Sequence, residues 1–156
     1  MSVEESKKKE VISDMARLCS RSEQCSPEIH KKIIATGLTE DETVGILNYL
    51  KEEKYIDDER YVKAYVAEKF RINRWGRVKM KYYLRMKGLP DDIIEAGLES
   101  IDETKYRDIL LKTMKEKAKK VNKKNKFEKM GQVIRYTQGR GFEPELIHRY
   151  MSEVLK

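Results

Sequence analysis

The chain has 156 residues, of which 39% are hydrophobic and 39% charged, and its formal net charge is +7. The charged fraction lies far above the roughly 25% of ordinary globular chains, which favours an elongated, high-surface array over a compact sphere. No stretch approaches the ~18 apolar residues of a membrane span, and two cysteines make no disulfide framework. The charged N-terminus lacks the apolar core of a signal peptide, so the sequence predicts a cytoplasmic protein without membrane contact.

Three variants of one helical unit follow one another along the chain. In each variant a helix ends at a glycine followed by an apolar residue, and these glycines are Gly37, Gly88 and Gly141. They lie roughly fifty positions apart, and similarity at a near-fixed spacing is typical of repeat proteins. Glycine at such a position can adopt the left-handed conformation that closes a helix. The sequence therefore predicts an all-α fold made of three tandem three-helix repeats.

The first three-helix repeat is predicted over residues 4–56. Thr39 and Glu42 form a capping box at the start of its third helix, because each side chain can accept a hydrogen bond from the other residue's backbone amide. Val44 is predicted to lie with the following leucines on the buried face of that helix.

The second repeat is predicted over residues 57–102. Asp57 is a good N-cap, and Asp58 in the first turn complements the positive end of the helix dipole. Trp75 and Gly76 interrupt the apolar pattern between the first two helices. We interpret Trp75 as an apolar anchor that fills the junction of two helices. The alternative is a contact with a partner, made together with the neighbouring arginines.

The third repeat is predicted over residues 103–155, with a longer first helix. Thr137 occupies the position before the closing glycine at which the other repeats carry Ile33 and Leu84. A threonine on a buried face must find a partner for its hydroxyl, or it weakens the packing.

Two basic segments are the candidate contact sites. One surrounds Trp75 in the second repeat, and the other is a lysine-rich stretch of the third. Such a density of positive charge favours a phosphate lattice whose counterions it releases, although a solvated helix face has the same pattern. The candidates are Arg71, Arg74, Arg77, Lys79, Lys81, Arg85 and Lys87, called here the unit-two basic cluster, together with Lys119, Lys120, Lys123 and Lys124.

No catalytic, metal or cofactor site is predicted. His30 and His148 have no second ligand at metal-binding spacing. The repeat glycines are helix ends, and no phosphate-binding glycine motif occurs. The serines and cysteines have no base at a recognisable spacing. We therefore expect a protein that is not an enzyme and needs no cofactor.

Three segments of the second repeat together resemble the signature of the RecX family, bacterial modulators of the RecA recombinase. They are YIDDERY at 55–61, RWG at 74–76 and YLRMKGL at 83–89. The resemblance implies a curved, elongated array of three-helix modules without catalytic residues. It also implies binding within the groove of the RecA–DNA filament, which limits filament assembly, ATP hydrolysis and strand exchange. The implied partners are the RecA filament and, weakly and without sequence preference, single- and double-stranded DNA; we expect a monomer.

Two other functions are compatible with the composition. A free-standing helical-repeat protein could bind DNA without sequence preference, although no helix stands out as a recognition helix. A structural adaptor for an acidic protein would explain the positive charge but not the resemblance.

Overall fold

The structure is a computed structural model that describes residues 2–122 and 125–155, and within those residues it contains nine helices and no strand. The all-α prediction is confirmed. The helices are α1 (Val3–Arg21), α2 (Ser26–Ala35), α3 (Glu40–Glu52), α4 (Asp58–Arg71), α5 (Arg77–Met86), α6 (Asp91–Glu99), α7 (Glu103–Lys120), α8 (Lys126–Gly139) and α9 (Pro144–Val154). Within the described ranges, no helix is both long enough and apolar enough to cross a membrane.

The helices form three triples, α1–α3, α4–α6 and α7–α9, and the main helix–helix contacts lie inside each triple. Each triple has its own buried apolar core. The cores are not isolated, because Cys25 of the first triple lies in the second core, and Phe70 and Ile101 pack against both the second and the third. That each triple is a domain with the bounds 4–56, 57–102 and 103–155 stays a prediction.

The ends of the helices follow the local sequence signals. The Thr39 hydroxyl accepts a hydrogen bond from the Glu42 amide at 3.2 Å, and the Glu42 carboxylate accepts one from the Thr39 amide at 3.0 Å. This is the predicted capping box. Gly37, Gly88 and Gly141 have φ angles of +96°, +93° and +96°. These values place all three glycines in the left-handed region, as predicted.

The buried face of α3 differs from the prediction for Val44, which is 43% exposed. The buried stripe runs instead through Thr43, Ile46, Leu47 and Leu50, which follow the i, i+3, i+4, i+7 spacing of one helix face. Thr43 can be buried because its hydroxyl donates to the Thr39 carbonyl at 2.8 Å. Thr43 therefore occupies the buried position that the hydrophobic pattern had assigned to its neighbour Val44.

The hydroxyl of Thr137 finds a hydrogen-bond acceptor in the same way as that of Thr43. It is fully buried, and its hydroxyl donates to the Val133 carbonyl one turn earlier at 2.7 Å. The hydroxyl thus adds no unsatisfied polar group to the third core.

Candidate interaction surface

The triples are joined through their second helices, α2, α5 and α8, and the joints decide which polar side chains remain available to a partner. Helix α5 begins at Gly76, which offers no side-chain cap. The Gly76 amide donates to the Arg140 carbonyl at 2.8 Å, and the Val78 amide donates to the Gly141 carbonyl at 2.9 Å. The amides at the start of α5, which have no partner within their own helix, are thus bonded to carbonyls at the end of α8.

This second joint, between the second and third triples, requires glycine on both sides. A Cβ atom on Gly76 would lie 2.3 Å from the backbone carbon and oxygen of Gly141. A Cβ atom on Gly141 would lie 2.3 Å from the Cβ of Lys79. Because these distances are far inside van der Waals contact, any larger residue forces the two backbones apart.

The first joint, between the first and second triples, repeats this arrangement. Helix α2 also lacks a side-chain cap of its own. The Asp58 carboxylate, in the first turn of α4, accepts hydrogen bonds from the Ser26 amide at 2.7 Å and the Ser26 hydroxyl at 2.5 Å. Gly88 lies against Pro27, 3.1 Å from where a glycine Cβ would stand. At both joints the later triple therefore caps the second helix of the earlier one.

Arg77 belongs to the second joint. Its guanidinium contacts the carboxylates of Glu143 at 2.9 Å and Glu103 at 2.5 Å. It also lies 3.8 Å from the centroid of the Tyr106 ring. The side chain is only 18% exposed. Burial opposes its charged form, but the bonds to the two carboxylates prevail and raise the pKa of Arg77. It remains a cation held between two triples.

Tyr106 completes this polar cluster. Its hydroxyl accepts a hydrogen bond from the Arg77 amide at 3.0 Å and donates one to the Glu143 carboxylate. Burial raises the pKa of Tyr106, and the bond to Glu143 adds to the effect. Because the phenol stays protonated, it can keep donating to the carboxylate.

Most of the unit-two basic cluster is engaged in ion pairs within the chain. Lys87 contacts Glu28 of the first triple at 2.7 Å, and although burial opposes its charge, the bonds to Glu28 and Tyr61 raise its pKa. Further pairs join Arg74 to Glu116 at 2.8 Å, Arg85 to Asp91 at 2.7 Å and Lys81 to Glu95. Arg71 is exposed and makes no ion pair with any residue that the structure describes.

Trp75 is half-buried against the second core. Its ring stacks on Tyr83 with the centroids 5.1 Å apart. The ammonium groups of Lys69 and Lys79 lie 5.1 Å and 4.8 Å from the centroid of the indole ring. Such cation–π contacts hold the two lysines beside the tryptophan. The packing agrees with an anchor at the junction of two helices, with two ammonium groups beside the ring.

The structure brings together only some of the predicted contact residues. Arg74 and Lys120 line one crevice between the second and third triples, which also contains Lys117, Tyr136 and Arg140. Arg71 lines a separate groove, and Lys119 lies on another part of α7. Lys123 and Lys124 lie outside the described residues. Arg140 was not among the predicted contact residues, although its position between two glycines at the end of α8 indicated a junction.

The described residues form no metal site, and one of the two cysteines is poorly suited to act as a nucleophile. Across residues 2–122 and 125–155, no group of three histidine, cysteine or carboxylate side chains is placed to hold a metal ion. Cys25 is fully buried, and burial raises the pKa of its thiol. A raised pKa disfavours the nucleophilic thiolate.

Comparison with known proteins gives a consistent set of similarities. A family model described as the second three-helix domain of RecX matches residues 57–98. The chain is 27% identical over 144 residues to the regulatory protein RecX of Clostridium tetani, covering 91% of this chain and 66% of the relative. It is 31% identical over 133 residues to that of Clostridium acetobutylicum, covering 81% and 60%. This chain thus spans less than two thirds of these two relatives' length.

Another relative and one solved structure match over nearly their full lengths. The regulatory protein RecX of Chlorobaculum tepidum is 27% identical over 153 residues, covering 98% of this chain and 93% of the relative. The crystal structure of RecX from Lactobacillus salivarius superposes with a TM-score of 0.88, covering 94% of this chain and 96% of that one. At 19% sequence identity this match shows the fold alone.

Proposed function

Because the chain belongs to the RecX family, we propose that it is a non-enzymatic inhibitor of the RecA recombinase. In this proposal it binds the RecA–DNA filament and limits filament assembly, ATP hydrolysis and strand exchange, and so regulates DNA repair and recombination. The proposal extends to this chain the regulatory role in the names of its relatives.

The proposal rests on where the residues that resemble RecX lie in the structure. Asp58, Gly76 and Gly88 belong to the three segments that resemble RecX, and all three lie at the joints between triples. The residues that resemble RecX therefore lie where one triple joins the next, and not only inside a single triple. A tandem array of this kind presents one extended surface to an extended partner, as a filament groove would require.

The charge distribution supports contact with DNA as part of this function. Lys112, Lys115, Lys119 and Lys120 of α7 are exposed or half-exposed and form no ion pair with a described residue. Positive charge that is not neutralised within the protein is available to phosphates. The same observation favours the second candidate, a free-standing protein that binds DNA without sequence preference.

The deciding experiment measures ATP hydrolysis by RecA on single-stranded DNA with increasing amounts of this protein. The proposal expects hydrolysis to fall at a ratio well below one molecule per RecA. Inhibition that begins only when the protein saturates the free DNA would indicate competition for DNA and favour the second candidate. Unchanged hydrolysis at every ratio would exclude the regulatory function for this RecA.

A further inference from the structure

The crevice between the second and third triples concentrates positive charge around a small cavity. Its volume is about 160 Å³, which is enough for a phosphate group. The charged and aromatic residues lining it are Arg74, Glu116, Lys117, Lys120, Tyr136 and Arg140, called here the basic crevice. Four cations face a single carboxylate. Like charges that line one small cavity repel one another, so an anion of matching size would lower the energy of the site.

The carboxylate of Glu116 holds one cation in place but does not neutralise the other three. Glu116 contacts the guanidinium of Arg74 at 2.8 Å. Lys120 makes no ion pair with a described residue, and Lys117 lies 4.8 Å from the centroid of the Tyr136 ring. Arg140 donates to the Asn73 carbonyl, which is a neutral acceptor. Three of the four cations are thus left without a negative partner.

The backbone at Arg74 is a second, independent observation. Arg74 has a φ angle of +54°, a conformation that glycine adopts without steric cost and other residues do not. Such strain tends to occur where a side chain serves a purpose. Here it places a guanidinium, which can bind a phosphate through two parallel hydrogen bonds, in the crevice.

Tyr136 adds an aromatic surface next to the cations. The residue is 42% exposed, although Met130, Val133 and Ile134 of the same helix pack in the third core. Exposed aromatic rings beside a positively charged groove are the means by which proteins stack the unpaired bases of single strands. In a duplex the bases are already stacked on each other, so this ring would gain less from them.

We propose that the basic crevice binds a backbone phosphate of single-stranded nucleic acid through Arg74, Lys117, Lys120 and Arg140, with the adjoining base stacked on Tyr136. This inference deepens the DNA-binding part of the proposed function and rests on it. It differs from the sequence prediction by locating the site at the joint of two triples and by adding Lys117, Tyr136 and Arg140.

The test compares two double variants that remove the same charge. Lys117→Gln with Lys120→Gln alters the crevice, whereas Lys31→Gln with Lys32→Gln alters two exposed lysines of α2 in the first triple. Binding of a labelled oligo(dT) to the full chain is followed by fluorescence anisotropy over a salt series. The crevice variant should bind about tenfold more weakly, and its slope of log affinity against log salt should fall by about 0.7, the value for one lost phosphate contact on a single strand. Equal losses in both variants would overturn the inference.

The stacking contact is tested at Tyr136. Tyr136→Ala should weaken oligo(dT) binding at least about fivefold without changing the salt slope, while Tyr136→Phe keeps the affinity. Binding to a duplex of equal length should change less. Equal loss on duplex and single strand, or no loss on either, would overturn the stacking role. Circular dichroism melts confirm that each variant is folded.

Competition identifies the ligand, and RecA assays separate this inference from the proposed function. Unlabelled oligo(dT) should displace the probe far better than inorganic phosphate or poly-glutamate at equal charge; displacement by poly-glutamate as effective as by DNA would overturn the nucleic-acid assignment.

If the wild-type chain inhibits RecA but the crevice variants bind oligo(dT) normally, this inference fails and the proposed function stands. If crevice-dependent binding occurs without any effect on RecA, the proposed function fails and the site stands.

Discussion

At the scale of single residues, some glycines allow two backbones to meet, whether or not they also end a helix. Gly76 and Gly141 are of this kind, since an added Cβ at either would overlap the opposite triple. Gly139, two residues before Gly141, has nothing within 4 Å of an added Cβ. We therefore expect an added methyl group to be costly at Gly76 and harmless at Gly139.

Gly76→Ala should destabilise the protein by about 1–3 kcal/mol, the usual range for overpacking a close contact. The methyl group would meet the Gly141 backbone and weaken the hydrogen bonds from the start of α5. Gly139→Ala is the matched control and should be neutral or slightly stabilising, by up to about 1 kcal/mol, because alanine favours the helix. Urea unfolding compares the two; similar effects would show that the joint is looser than described.

The charge of Arg77 has a different role from the charge of Arg85, although both lie on α5. Arg77→Gln should cost about 1–3 kcal/mol, because it leaves the Glu143 carboxylate, whose side chain is only 24% exposed, without its charged partner. Arg85→Gln should leave stability nearly unchanged, because its pair with Asp91 is more than half exposed on both sides. Thermal unfolding of both variants tests this contrast, and equal melting temperatures would contradict it.

At the scale of helices, local signals decide where each element begins and ends, while burial depends on what surrounds it. Helix α3 illustrates both: its capping box was correctly predicted, whereas Val44 was wrongly placed on the buried face with Leu47 and Leu50. Val44 should therefore tolerate truncation: Val44→Ala is expected to stay within about 0.5 kcal/mol of the parent. Ile46→Ala, on the buried stripe, should cost about 2–4 kcal/mol. Chemical unfolding distinguishes them, and a large loss from Val44→Ala would restore the original assignment.

Periodicity and closing glycines were sufficient to predict the all-α class and the three-repeat plan, because these depend on residues close together in sequence. The joints could not be predicted. The partners of Arg77 are Glu103 and Glu143, which lie 26 and 66 residues away, and charge patterning alone does not pair distant residues. For the same reason only part of the basic crevice was predicted: its residues come from the turn after α4 in the second triple and from α7 and α8 in the third.

At the scale of the whole molecule, the polar cluster of the second joint should give stability a defined pH dependence. The pKa of Tyr106 is raised in the folded chain above its ordinary value of 10.0. The unfolded chain then loses this proton first, so stability is fully present below about pH 10 and falls as pH rises through the raised pKa. Tyr106→Phe should show a shallower decline above pH 10. Urea unfolding between neutral pH and pH 11 tests the prediction, and parallel curves would contradict it.

The capping of the second helices also bears on how such a chain can change its length. Helices α2 and α5 rely on the following triple at their starts, whereas α8 is capped by its own Asn125, whose side chain accepts hydrogen bonds from the Phe127 and Glu128 amides. Each joint pairs two different surfaces, and contacts of this head-to-tail kind can be repeated without closing on themselves. In this architecture a second helix without a cap of its own, such as α2 or α5, depends on a successor, whereas α8 does not.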